Sequence, residues 1–140
     1  MENFEFIEHT ADIGVRVYGK SLEDLFQNCA QTLFSLLIDH KPAEKIEERI
    51  ILEAETLEEL LVTWLNELIS LFYTYKFLPA EYDIAIEKDD KKKILRSVIK
   101  GEEFSPYENK MNREIKAATY HNLKIEKDSF GYKAEIIFDV

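Results

Sequence analysis

The chain has 140 residues, 46% of them apolar, with nine phenylalanines and seven tyrosines; this suits one folded domain over 1–140 and excludes a disordered polypeptide. Twenty-eight acidic residues against 18 basic ones give a formal net charge of −10, which opposes the phosphate contacts behind nucleic-acid affinity and favours a basic protein partner. No apolar run approaches the ~20 residues of a membrane span, and the acidic opening Met1-Glu2-Asn3-Phe4-Glu5 lacks a signal peptide's basic segment, so the expected setting is the cytoplasm.

Residues 4–7 and 13–18 read as short strands. In the second, Ile13, Val15 and Val17 share one face while Asp12, Arg16 and Tyr18 share the other. Gly19-Lys20 turns into a helix whose N-cap is Ser21, with Asp24 three residues on. Leu22, Leu25, Phe26, Cys29, Leu33, Phe34 and Leu37 follow at helical spacing, and Pro42 stops the helix by about 38–40. Cys29 lies on that stripe, which makes it a buried structural thiol with no internal disulfide partner.

A strand over 49–54 leads to a second capping box, Thr56-Leu57-Glu58-Glu59. The helix it opens carries Leu57, Leu60, Leu61, Trp64, Leu65, Leu68, Ile69, Phe72 and Tyr75 as one apolar stripe. Strands over 82–87 and 94–100 flank Lys88-Asp89-Asp90-Lys91-Lys92-Lys93, whose mixed signs mark a solvated hairpin turn. After an irregular stretch over 102–111, strands return at 115–120, 123–126 and 132–140. This order predicts an α+β fold, with two amphipathic helices packed on one side of a mixed or antiparallel sheet.

His9, His40 and His121 are far apart and have no ligand spacing with Cys29, so zinc is not expected, and no glycine-rich phosphate loop exists. Oxygen ligands are more promising. The last alternating run extends to Val140, which puts the Asp139 side chain beside the Val140 carboxylate, and Asp12 heads the second strand. Three acids at one point need a cation or basic groups to offset their repulsion, and a hard cation such as Ca²⁺ or Mg²⁺ suits them, though nothing in the spacing alone brings the ends together. Lys116 lies on the opposite side of its strand from Ile115, Ala117 and Thr119 if that strand is regular. A metal-dependent hydrolase built on Asp12 and Asp139 is an alternative, but two-metal chemistry generally needs more ligands than these.

Four segments in order resemble the archease family. They are Glu8-His9-Thr10-Ala11-Asp12-Ile13-Gly14, Leu60-Leu61-Val62-Thr63-Trp64-Leu65-Asn66-Glu67-Leu68, Ile115-Lys116-Ala117-Ala118-Thr119-Tyr120-His121-Asn122-Leu123, and Ile137-Phe138-Asp139-Val140. The resemblance implies a non-catalytic protein cofactor that activates an RtcB-type tRNA splicing ligase by promoting its guanylylation and repeated turnover. It also implies, as an alternative, a chaperone for a tRNA cytosine methyltransferase. The family's metal site maps onto Asp12, Asp139 and Val140, with calcium expected and magnesium or manganese as alternatives. Its activating residues map onto Asp12, Lys116 and Asp139. One departure stands out: where the family commonly reads Asp-Pro and a nearby His, this chain has Ser105-Pro106-Tyr107-Glu108-Asn109-Lys110, and no contact is carried over there.

Overall fold

The computed structural model describes residues 3–7 and 12–140. In chain order these form β1 (Phe4–Ile7), β2 (Ile13–Gly19), α1 (Leu22–Leu37), β3 (Ile46–Ala54), α2 (Leu57–Tyr75), β4 (Phe77–Lys88), β5 (Lys93–Glu103), β6 (Ala117–Thr119), β7 (Ile125–Asp128) and β8 (Gly131–Asp139). Both helices start on the caps that the sequence supplies. Ser21 Oγ accepts from the Asp24 N–H at 3.0 Å, and the Asp24 carboxylate accepts from the Lys20 N–H at 2.8 Å. Thr56 Oγ1 accepts from the Glu59 N–H at 3.1 Å. Neither helix has a basic residue in its last turn; α1 closes on extended Ile38, and α2 on Lys76 in the left-handed region, at φ 57°.

The fold is α+β with antiparallel pairing, and its strands divide between two sheets. The larger runs β1-β2-β8, and the far edge of β8 is shared by two short strands, β7 against 131–134 and β6 against 137–139. The smaller has the order β3-β5-β4. Each helix touches both sheets: α1 packs on β2, β8 and β4, while α2 packs on β6, β3, β4 and β5. That two-sided contact explains why α1 buries Asn28, Ala30 and Thr32 as well as its apolar stripe. The polar pair is satisfied locally, Asn28 donating to the Tyr18 carbonyl and Thr32 to the Asn28 carbonyl, both at 2.7 Å.

Trp64 joins the helices. It is fully buried, its Nε1–H donates to the Phe26 carbonyl at 3.1 Å, and its ring meets Tyr82 edge-on at 6.1 Å between centroids. Cys29 is fully buried in the same core, and burial pushes its thiol pKa up. Among the described residues, no helix is long and apolar enough to cross a membrane.

β3 and β5 run longer than the pattern-based reading, β3 starting at Ile46 and β5 ending at Glu103, and three further strands depart from it. β4 begins at Phe77, five residues before Tyr82, and carries Pro79 through a register shift between Pro79 and Glu81. It is an edge strand, where proline's missing N–H is tolerated. Gly101 sits opposite this irregularity, and a Cβ there would lie 2.1 Å from the Leu78 carbonyl oxygen. β7 is shifted to Ile125–Asp128. β6 is only Ala117–Thr119, and the backbone ahead of it is irregular: Ile115 is buried and its N–H donates to the Tyr73 hydroxyl at 3.4 Å. The regular alternation expected over 115–119 therefore fails, since Ile115 and Ala118 are both buried while Lys116 is exposed.

Candidate functional site

The candidate site is built by register. β2 and β8 are the central neighbours of the five-stranded sheet, and their pairing ends at Ile13 opposite Phe138. Asp12 precedes Ile13 and Asp139 follows Phe138, so the two carboxylates leave adjacent strands at the same end of the sheet. On the other flank of β8, Ala117 pairs with Asp139, and the Lys116 N–H donates to the Asp139 carbonyl at 2.7 Å. Val140 follows directly and is 40% exposed. Asp12 is half-buried, while Lys116 and Asp139 are exposed. Three chain segments, the first more than a hundred positions before the other two, thus share one corner.

Like charges on neighbouring strands repel, and bare burial would worsen that. The corner offers two side-chain carboxylates, those of Asp12 and Asp139. Among the described residues, no group of three or more His, Cys, Asp and Glu side chains is arranged to hold a metal ion. The side chains of Asp12 and Asp139 are oxygen donors, which suit a hard cation that completes its shell with carbonyls and water better than they suit zinc or copper. Lys116 is the basic residue at the same corner.

The middle of the same sheet handles its acids differently. Arg16 sits between Glu5 at 2.6 Å and Glu135 at 2.5 Å, and the Tyr18 hydroxyl donates to Glu5 at 2.8 Å. The Arg16 bond, with that of Tyr18, holds the Glu5 carboxyl below its usual range, and Glu5 in turn raises the Arg16 pKa. These are exposed or partly exposed pairs of modest energetic weight.

Helix α2 fastens the broken edge of this sheet from inside. Asn66 donates to the Ala118 carbonyl at 3.1 Å, while its side-chain oxygen accepts from the Ala118 N–H at 2.8 Å. Two turns earlier, Glu58 accepts from the Ile125 N–H at 2.9 Å. Sequence reading passed over Asn66. Its signal was position: it falls on the helical line Val62, Asn66, Ile69, with Val62 and Ile69 both buried, where an amide needs partners.

The histidines divide. His9 lies outside the described residues, as do Glu8, Thr10 and Ala11 of the first matching segment. His40 pairs with Glu102 and stacks on Phe104 at 5.5 Å, lowering the Glu102 pKa. His121 is exposed in the turn after β6. The 88–93 hexapeptide is the hairpin turn its charges suggest: Asp89 Oδ1 accepts from the Lys91 and Lys92 N–H groups at 2.8 and 2.7 Å. In the departing loop, Asn109 donates to the Ser105 carbonyl at 2.9 Å.

Comparison with known proteins bears on all of this. A family model described as the Archease protein family (MTH1598/TM1083) matches residues 4–140. A curated relative from Pyrococcus furiosus, named Protein archease, is 39% identical over 142 residues, covering 100% of both chains. Another of the same name from Methanosarcina mazei is 33% identical over 141 residues, covering 99% of this chain and 97% of its own. Among solved structures, the solution structure of Methanobacterium thermoautotrophicum protein 1598 matches with a TM-score of 0.84 and 29% identity, over 100% of both chains.

Proposed function

Because this chain belongs to the archease family, we propose that it is an accessory protein that activates an RtcB-type RNA ligase, promoting the ligase's guanylylation and multiple turnover. The observation that supports the reading is that Asp12, Lys116 and Asp139 lie at one corner of the five-stranded sheet, at the adjoining ends of three strands paired through β8. A chain with net charge −10 is attracted to a partner whose cleft is basic enough to hold RNA, and the same charge keeps it off RNA itself.

Asp12, Asp139 and the Val140 carboxylate would hold a divalent cation, calcium first and magnesium or manganese as alternatives. When bound, that cation supplies positive charge that offsets the clustered acids and attracts phosphate oxygens. Lys116 contributes a fixed positive group beside them, and β8 holds all these residues in one frame. The protein's own role is to present this corner to the ligase.

Single-turnover guanylylation of the ligase, with and without the protein, tests the reading. Stimulation is expected with the natural chain, and a drop of about tenfold or more with Asp12→Ala, Lys116→Ala or Asp139→Ala, a loss typical of disturbed metal-linked sites. Full stimulation by all three variants would remove the corner from consideration.

A further inference from the structure

Resting on that reading, we infer that Asn66 is a positioning residue for the activating corner, holding the Lys116 segment in register with Asp139 from beneath. Ala118 faces the outer edge of β6, where a backbone N–H and C=O have no strand partner of their own. The Asn66 amide supplies both missing bonds at once, 3.1 Å to the carbonyl and 2.8 Å to the N–H, as a neighbouring strand would. Ala118 is buried and Asn66 half-buried, so water cannot readily replace the amide.

The consequence for Lys116 follows from how little else holds it. β6 is three residues long, and the run before it is irregular. Lys116 itself is tied to β8 through one backbone bond, from its N–H to the Asp139 carbonyl at 2.7 Å. The two Asn66 bonds act two residues away, and helix α2 makes them rigid. This also explains physically why two matching segments occur together: 60–68 carries the amide, and 115–123 carries the peptide that it clamps. A side chain on a half-buried helix line is screened from a docking partner, so its effect must pass through the strand.

Glu58 is the internal comparison. It caps the Ile125 N–H of β7 on the same edge and the same helix, but at the end of β8 away from Asp139. A purely structural clamp would make the two sites equivalent. The positioning role makes them differ.

The experiment compares Asn66→Leu, Asn66→Asp, Glu58→Leu and Lys116→Ala, and the double variant Asn66→Leu with Lys116→Ala. Amide hydrogen exchange at Lys116 and Ala118 and guanylylation of the ligase are read on each. Asn66→Leu is expected to speed exchange at both amides by about tenfold or more, as local opening does, and to cut stimulation several-fold. Asn66→Asp, which keeps the acceptor and loses the donor, falls between. Glu58→Leu, which removes the acceptor for the Ile125 N–H, leaves stimulation at the natural level. In the Lys116→Ala background, Asn66→Leu adds little further loss, because both act through one element. Full stimulation by Asn66→Leu with its amides released overturns the inference while leaving the ligase reading intact. So does an equal loss in Glu58→Leu, or simple additivity in the double variant. Global unfolding of both Asn66 variants overturns it as well, Asn66 then holding the fold. Full stimulation by Lys116→Ala defeats the ligase reading of this corner, and the positioning role with it.

Discussion

The two sheets of this molecule are built on different plans. The three-stranded sheet comes from one continuous stretch, with β4 and β5 as a long hairpin whose strands pair along most of their length and whose turn is tied by Asp89. Its outer face mixes signs, Arg96 with Glu87 at 2.7 Å and Lys92 with Glu53 at 2.7 Å. The five-stranded sheet is assembled from both ends of the chain, so that Arg16 meets Glu135 across 119 positions. Local pairing makes a regular frame, whereas long-range pairing makes a corner where unrelated segments can combine their chemistry. All four segments that carry the family resemblance touch this second plan: three supply its strands, and the fourth supplies the Asn66 clamp.

The strongest way to break the distinction is to damage what both sheets share. Trp64→Ala removes the fully buried ring between α1 and α2 and its bond to the Phe26 carbonyl. A loss of roughly 3–5 kcal/mol is expected, read by chemical denaturation, and any loss of ligase stimulation would accompany unfolding. A native melting curve with stimulation abolished would instead place Trp64 at a partner surface.

Next in size is the functional contrast between the faces. Asp139→Ala and Lys116→Ala should each lower ligase stimulation about tenfold or more while shifting stability by under about 0.5 kcal/mol. Arg96→Ala and Asp83→Ala, exposed on the smaller sheet, should leave stimulation unchanged. Equal losses on both sheets would erase the distinction. A finer version acts on the terminal group: adding residues after Val140 turns its carboxylate into an amide. Calcium affinity measured by titration calorimetry should then weaken, and unchanged affinity would strike Val140 from the ligand set.

The smallest effect expected is on pH. The amides of Lys92 and Lys91 hold the Asp89 carboxyl below its ordinary value. A folded pKa below the unfolded one gives stabilisation that is present above the unfolded value, about 3.9 for Asp, and is lost as pH falls through the folded value. Asp89→Asn should therefore melt slightly earlier than the natural chain at pH 7, with the gap closing in acid. A gap that persists unchanged into acid would assign the effect to turn geometry alone.

Much of this was legible beforehand, and the exceptions have physical causes. Ser21 and Thr56 announce the helix starts because caps are local, and the stripes through Leu25, Cys29, Trp64 and Leu68 announce the core because burial imposes a period. The division into two sheets was not legible, since pairing partners such as Val15 and Ile136 lie far apart and alternation says nothing of which strand is the neighbour. Pro79 hid the first part of β4, as a proline reads as a break wherever edge position is unknown. At the corner, alternation carried to Val140 suggested adjacent acids, and strand position drew attention to Asp12 and Lys116, but only the resemblance implied that they act together with Asp139. Asn66 escaped because its worth depends on one peptide group 52 positions away.

Cys29 gives the molecule a practical property. It is the chain's only thiol, and it lies wholly within the core with its proton held more tightly than usual. Maleimide dyes will therefore ignore the native protein, and a cysteine introduced on an exposed strand will take the label alone. Attaching donor and acceptor fluorophores to the acidic corner and the opposite sheet in turn would then report which end approaches a labelled ligase, with no need to mutate the natural thiol first.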